Sequence, residues 1–170
     1  MKFSDIKQMT RPGYACDHLL YMLPGAIRSY QEENGLDMNP DFQRVHVWTP
    51  EQQTRYMEFL LQGGNSSRDI YFNCPGWMGS FKGPFQLVDG KQRLAACVGF
   101  MDGTVEVFGG LRIEHFSDKP FNPRLRFHIN TLETRQEILQ WYLDINSGGV
   151  VHTADELRKV RELLDLEKAE

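Results

Sequence analysis

Apolar positions along this chain change period several times, and the changes mark its elements. From Tyr14 to about Asn34 the spacing predicts a helix, with Leu19, Leu20, Leu23 and Ile27 on one side. Pro24-Gly25 must kink or split it, and Gly35 ends it. Residues 1–13 form a lead-in that closes on the turn Arg11-Pro12-Gly13. Val45 and Val47 then alternate with His46, as in a short extended segment. Thr49 and Gln52 make a capping box, with Pro50 at the first helical position. That helix runs to about Gln62 over a face of Tyr56, Phe59 and Leu60, and Gly63-Gly64 closes it.

Strand signals follow. Ile70 to Asn73 read as one strand, and residues 74–84 as a loop with an exposed Trp77-Met78. Leu87 and Val88 form a short strand, Asp89-Gly90 a turn, and Leu94, Ala95, Val98 and Met101 a helix that stops at Gly103. Thr104 to Phe108 and Leu111 to Phe116 flank Gly109-Gly110, a two-residue hairpin signal. Leu125 to Asn130 alternates as a further strand. Two helices finish the chain. Thr134 and Glu137 cap the first, over Ile138, Leu139, Tyr142 and Ile145; Thr153 and Glu156 cap the second, over Leu157, Val160, Leu163 and Leu164. The last helix is expected to pack on its own domain. This pattern predicts an α+β fold, a small mixed sheet from residues 70 to 130 with helices around it. We divide the single domain 1–170 into a lead-in and helix (1–35), the sheet region (36–130) and two C-terminal helices (131–170).

Composition changes this picture little. Hydrophobic content is 41% and charge 25%, enough for one domain with a real core. No apolar run approaches a membrane span and the start lacks an apolar signal region, so a cytoplasmic location is expected. Cys16, Cys74 and Cys97 lie far apart, which argues against a disulfide framework or a zinc ribbon; Cys97 reads as a buried thiol. The five histidines show no metal-ligand spacing. Net charge is −4, which argues against strong non-specific DNA binding while leaving room for a local basic patch.

The chemistry concentrates at Asp89-Gly90-Lys91-Gln92-Arg93. A helix N-terminus carries partial positive charge and suits a phosphate. Gly90 lets a group approach the backbone, Arg93 adds a bidentate fork, and Asp89 offers a helix cap, a base, a water orienter or a metal ligand. The same residues suit an ordinary capped turn with surface charges. Gln43 and Arg44 bring a second pair of donors, for a phosphate or for a neighbouring carboxylate. Trp48 reads as a core residue. Asn146 suits either a ligand or the end of its own helix.

Three stretches carry a resemblance. Asp89-Gly90-Lys91-Gln92-Arg93-Leu94 is similar to the DGQQR-L motif of the N-terminal domain of GmrSD-type type IV restriction enzymes. Phe42-Gln43-Arg44, Trp48, Glu51 and Gln52 resemble its YQR…W…E-Q pattern, and Asn146-Ser147-Gly148-Gly149 through Thr153, Glu156 and Leu157 its N-x-G-G turn. The resemblance covers residues 40 to 165. Lys91 stands where that family has Gln, and Phe42 where it has Tyr. The resemblance implies a ParB/sulfiredoxin-like fold and a nucleoside triphosphate ligand. It implies catalytic roles for Asp89, Gln92 and Arg93, and binding roles for Gln43, Arg44, Gly90, Lys91 and Asn146. Mg²⁺, held through Asp89, would neutralise the phosphates. The family's His-Asn-His nuclease part has no counterpart in these residues, so DNA cleavage would fall to a separate nuclease or other defence protein. The competing readings are a non-catalytic regulatory module and a ParB-like DNA-binding protein, the latter disfavoured by charge.

Overall fold

The most regular alternation in the chain, Leu125-Arg126-Phe127-His128-Ile129, lies inside a four-stranded sheet. The computed structural model describes residues 2, 5–6, 13–43, 47–118, 123–147 and 154–168. Strand β4 (Arg124–Asn130) pairs antiparallel with β1 (Tyr14–Leu19) and parallel with β2 (Asp69–Asn73). Strand β2 pairs antiparallel with β3 (Gln86–Asp89), giving the order β1-β4-β2-β3. Around this mixed sheet stand α1 (Leu23–Asn34), α2 (Pro50–Leu61), α3 (Lys91–Met101), α4 (Arg135–Ser147) and α5 (Ala154–Glu167). The fold is therefore mixed α+β. No helix among the described residues is long and apolar enough to cross a membrane.

Each sheet face has its own core. Leu125, Phe127 and Ile129 of β4, Ile70 and Phe72 of β2 and Leu87 of β3 point to one face, where α1, α2 and α3 bury them. On the other face Val88 joins Phe42, Leu132 and the apolar stripes of α4 and α5, including Ile138, Leu139, Tyr142, Val160 and Leu164. A bulge in β3 sets what goes where. Phe72 lies opposite Leu87 but Tyr71 lies opposite Asp89, so β3 spends one extra residue there. Residues directly opposite share a face. A regular strand would have turned Asp89 to the Leu87 side, into the first core; the bulge turns it to the Tyr71 side.

Several local expectations hold. Thr49 and Gln52 form the reciprocal capping box of α2, with Pro50 in its first turn. Thr134 and Glu137 do the same for α4, the Glu137 N–H donating to Thr134 Oγ1 at 3.2 Å and the Thr134 N–H to Glu137 Oε2 at 3.1 Å. Cys97 is fully buried, and burial pushes its thiol well up from the ordinary value. The Thr153 cap, and the Val45–His46 part of the extended segment, lie outside the described residues.

Others are corrected. Tyr14–Leu19 is a strand, not the start of a helix, so the sheet is not confined to residues 70–130. Its Tyr14, Cys16 and His18 alternate opposite Ile129, Phe127 and Leu125, and six backbone partners on β4 outweigh the short leucine cluster. Pro24 does not kink the helix; it sits in the first turn of α1, where its missing N–H costs nothing. In α2, Met57 is buried and Phe59 is 41% exposed, because the ring of Phe59 lies over Gly64, where any Cβ would stand 2.3 Å from it. The buried face of α3 is Leu94, Ala96, Cys97 and Phe100 rather than Ala95, Val98 and Met101. The expected hairpin at Gly109-Gly110 shrinks to one bridge, Val107 with Leu111. Phe108, Gly109 and Gly110 all have positive φ, and a 3-10 turn at Ile113–His115 follows instead of a strand. Trp77 is half-buried against the first core, while Met78 is 70% exposed.

Phe127 touches the rings of Phe72 and His18 at the centre of the first core, with centroid separations of 4.9 and 4.3 Å. Phe127→Ala should lower stability by about 3–5 kcal/mol, read as a lower urea midpoint at unchanged slope.

Candidate functional site

The bulge delivers Asp89 to the turn between β3 and α3, and Gly90 makes the turn. Gly90 has φ +96°, and a Cβ there would meet Ile70 Cδ1 at 2.6 Å and Ile70 Cα at 3.2 Å. Glycine is thus required twice, by conformation and by space. Gly90 is itself the N-cap residue of α3, and no side chain caps the helix. Asp89 does not act as the expected cap. Its Oδ2 instead accepts from the Arg93 guanidinium at 2.6 Å, an i,i+4 ion pair with both side chains mostly shielded from solvent.

Two glutamines frame this turn. Gln43 Nε2 donates to the Val88 carbonyl at 2.6 Å and the Leu87 carbonyl at 3.1 Å, which fastens the bulged end of β3. Gln43 is placed in turn by Phe42 in the second core. Asp41 is placed by an ion pair with Arg135 of α4 at 2.7 Å, which holds its carboxyl below the usual carboxylate value. Gln92 is buried, and its Oε1 accepts from the Val47 and Trp48 N–H groups at 3.1 Å each. It ties the segment leading into α2 to the start of α3. Both glutamines hold backbone, which is a bracing use of their amides.

Gln43, Asp89, Gly90, Lys91, Gln92 and Arg93 line one cleft of about 250 Å³, with Trp48, Tyr56 and Ser67 on its far side. Five of the six are consecutive, running from the end of β3 through Gly90 into α3. Arg44 lies outside the described residues. Asn146 is not among the cleft's residues. It is buried in α4, and its Nδ2 donates to the Tyr142 carbonyl at 2.7 Å, one turn back in its own helix. Asn146 thus serves the end of α4.

The sequence places Tyr56 on the buried face of α2, as found, but gives no sign that Tyr56 and Ser67 line the cleft. The Tyr56 hydroxyl donates to the Ser67 carbonyl at 2.8 Å, and Ser67 adopts φ +56° to present it. Burial pushes the Tyr56 phenol well up, while the nearby Arg93 and Arg68 pull it back. The Nε–H groups of Arg93 and Arg68 are both buried and have no hydrogen-bond partner among the described residues. A buried donor without an acceptor costs roughly 1–3 kcal/mol, more when charged, so the Arg93 Nε–H, on a residue that lines the cleft, marks a place for an acceptor. The sequence signal for Arg68 is its place beside Ser67 just before a strand. Burial lowers the Lys91 ammonium, against a smaller opposing pull from Asp37.

No protein-family model matches the chain, and no curated protein or solved structure matches it either. Among the described residues no three His, Cys, Asp or Glu side chains group as metal ligands. Asp89 keeps one carboxylate oxygen outside its pair with Arg93. One such oxygen fits a Mg²⁺ that arrives with phosphates and keeps most of its water, and does not fit an all-protein cage.

Gly90→Ala should cost about 1–3 kcal/mol in urea unfolding, from the forced φ and the contact with Ile70. Gln92→Leu keeps the volume and removes the acceptor. It should cost about 1–3 kcal/mol, and amide exchange at Val47 and Trp48 should quicken far more than at Phe72.

Proposed function

We propose that the chain is a nucleotide-binding domain that takes the phosphate end of a nucleoside triphosphate at the start of α3. One observation carries this reading: Arg93, which lines the cleft, has a buried Nε–H with no acceptor among the described residues. A phosphate oxygen satisfies such donors, and the uncapped start of α3 adds the favourable end of its dipole. The resemblance to the GmrSD-type N-terminal domain supports the same ligand, and with it a ParB/sulfiredoxin-like fold.

Binding and turnover are linked through Arg93. In the structure its guanidinium is held by Asp89. An incoming phosphate competes for the same donors, and a rotation of Arg93 toward it releases the Asp89 carboxylate. The released carboxylate then orients a water, or a Mg²⁺ carried in on the phosphates. The domain on this account is a sensor whose ion pair opens with ligand, hydrolysing the triphosphate when Asp89 is freed. A separate nuclease or other defence protein would read that state in the cytoplasm. The second reading, a module that binds without turnover, is favoured by how tightly Asp89 is held, 2.6 Å from Arg93.

Calorimetry with the four common nucleoside triphosphates, paired with phosphate release under Mg²⁺, tests both. Arg93→Ala should weaken binding by roughly 1.5–3 kcal/mol, the loss of one charge-assisted contact. Asp89→Asn should keep binding or tighten it, since Arg93 is then released, and should remove hydrolysis. Unchanged affinity in Arg93→Ala would place the ligand elsewhere. Binding by the wild type with no phosphate release would leave the module reading.

A further inference from the structure

A second cleft, of about 350 Å³, opens on the sheet face that carries the outward residues of β4, on the other side of Tyr71 from Asp89. Its floor is Tyr71 of β2 and His128 of β4, neighbours across the parallel pair. Their rings stack with centroids 4.8 Å apart and planes 17° from parallel. Its side wall is Trp141 of α4, whose ring stands 88° to Tyr71 at 6.1 Å. The backbone of Gly13, Tyr14 and Ala15 closes the remaining side. Trp141 is only 4% exposed, so the accessible aromatic surface belongs to the half-buried Tyr71 and His128, and it suits a thin, planar ligand.

The polar groups define its edge. Asp69 Oδ1 lies 2.6 Å from His128 Nε2. A carboxylate there keeps the proton of the neutral imidazole on Nε2, which leaves Nδ1 as an acceptor. No described residue bonds to His128 Nδ1 or to the indole N–H of Trp141. The cleft therefore offers one acceptor and one donor beside its aromatic walls. We propose that it binds a nucleobase ring, which packs against Tyr71, gives an N–H to His128 Nδ1 and receives the indole N–H of Trp141 on a ring acceptor. The site is separate from the cleft at α3, and neither proposal depends on the other. The ring can belong to a free nucleoside or to a single strand. Arg124 and Arg126 stand upstream on the same face of β4, where only a strand's phosphates would reach them; each now makes a long contact with Asp17, at 3.5 and 3.8 Å.

Titration of ¹⁵N-labelled protein with adenosine, cytidine and a short single-stranded deoxyoligonucleotide, followed by NMR, tests this. The Trp141 indole N–H and the amides of Tyr71 and His128 should shift together. His128→Phe retains a ring on Tyr71 and removes Nδ1, and should weaken binding about tenfold. If that variant does not fold, His128→Leu carries the same test, since it too removes Nδ1 without supplying another acceptor. Shifts with nucleosides alone identify a free nucleoside as the source of the ring. Shifts with the strand that weaken in Arg126→Ala identify a strand. If no ligand moves the Trp141 indole resonance, or if His128→Phe or its substitute binds as tightly as wild type, the proposal is wrong.

Discussion

One extra residue in β3 governs the rest of this structure. Strand β3 is four residues long and has a core on each side, with Leu87 in the first and Val88 in the second. Regular alternation would send Asp89 after Leu87, into a space lined by Phe72, Ile70 and Leu94. Burying a lone carboxylate among such side chains costs several kcal/mol. The bulge opposite Tyr71 avoids that cost and starts α3 with the carboxylate at its rim. Gln43 then holds the bulge open, because its amide bonds to the Leu87 and Val88 carbonyls. Gly90 completes the turn in a place where any Cβ would strike Ile70.

The candidate site follows from that constraint. Four of its polar side chains divide into two kinds. Gln43 and Gln92 are committed to backbone groups of other segments and set the shape of the cleft. Asp89 and Arg93 are committed to each other, through an ion pair at 2.6 Å. The proposed anion would turn binding into a change of partner for this carboxylate. Tyr56 and Ser67 line the cleft with them.

The two faces of the sheet are unequal for a related reason. One face is covered by three helices, and its rows of Leu, Phe and Ile are closed to solvent. On the other, α4 and α5 pack around Val88 and against Tyr71, and β4 presents Arg124, Arg126 and His128. On that face Tyr71 stacks on His128 and stands at a right angle to Trp141, which is itself buried in the second core.

The chain's local signals determined much of this by themselves. Thr49 with Gln52 and Thr134 with Glu137 marked two helix starts, because a capping box is satisfied within a few residues. Asp89-Gly90 marked the strand-to-helix turn, and the alternation around Phe127 marked β4, because both patterns are complete within one segment. What depended on partners distant in sequence was decided by the tertiary structure. Tyr14–Leu19 carried a helical spacing and became a strand, since the open edge of β4 supplies hydrogen bonds that no local pattern records. Phe59 turned outward because Gly64 left room for its ring. Gln92 and Asn146 suited ligand donors in the sequence and bond backbone groups here, and Tyr56, read as a core residue, also lines the cleft. A side chain's partner is set by which segments meet. The gathering of Gln43, Trp48 and Ser67 around Arg93 was settled only when the two cores closed on β3.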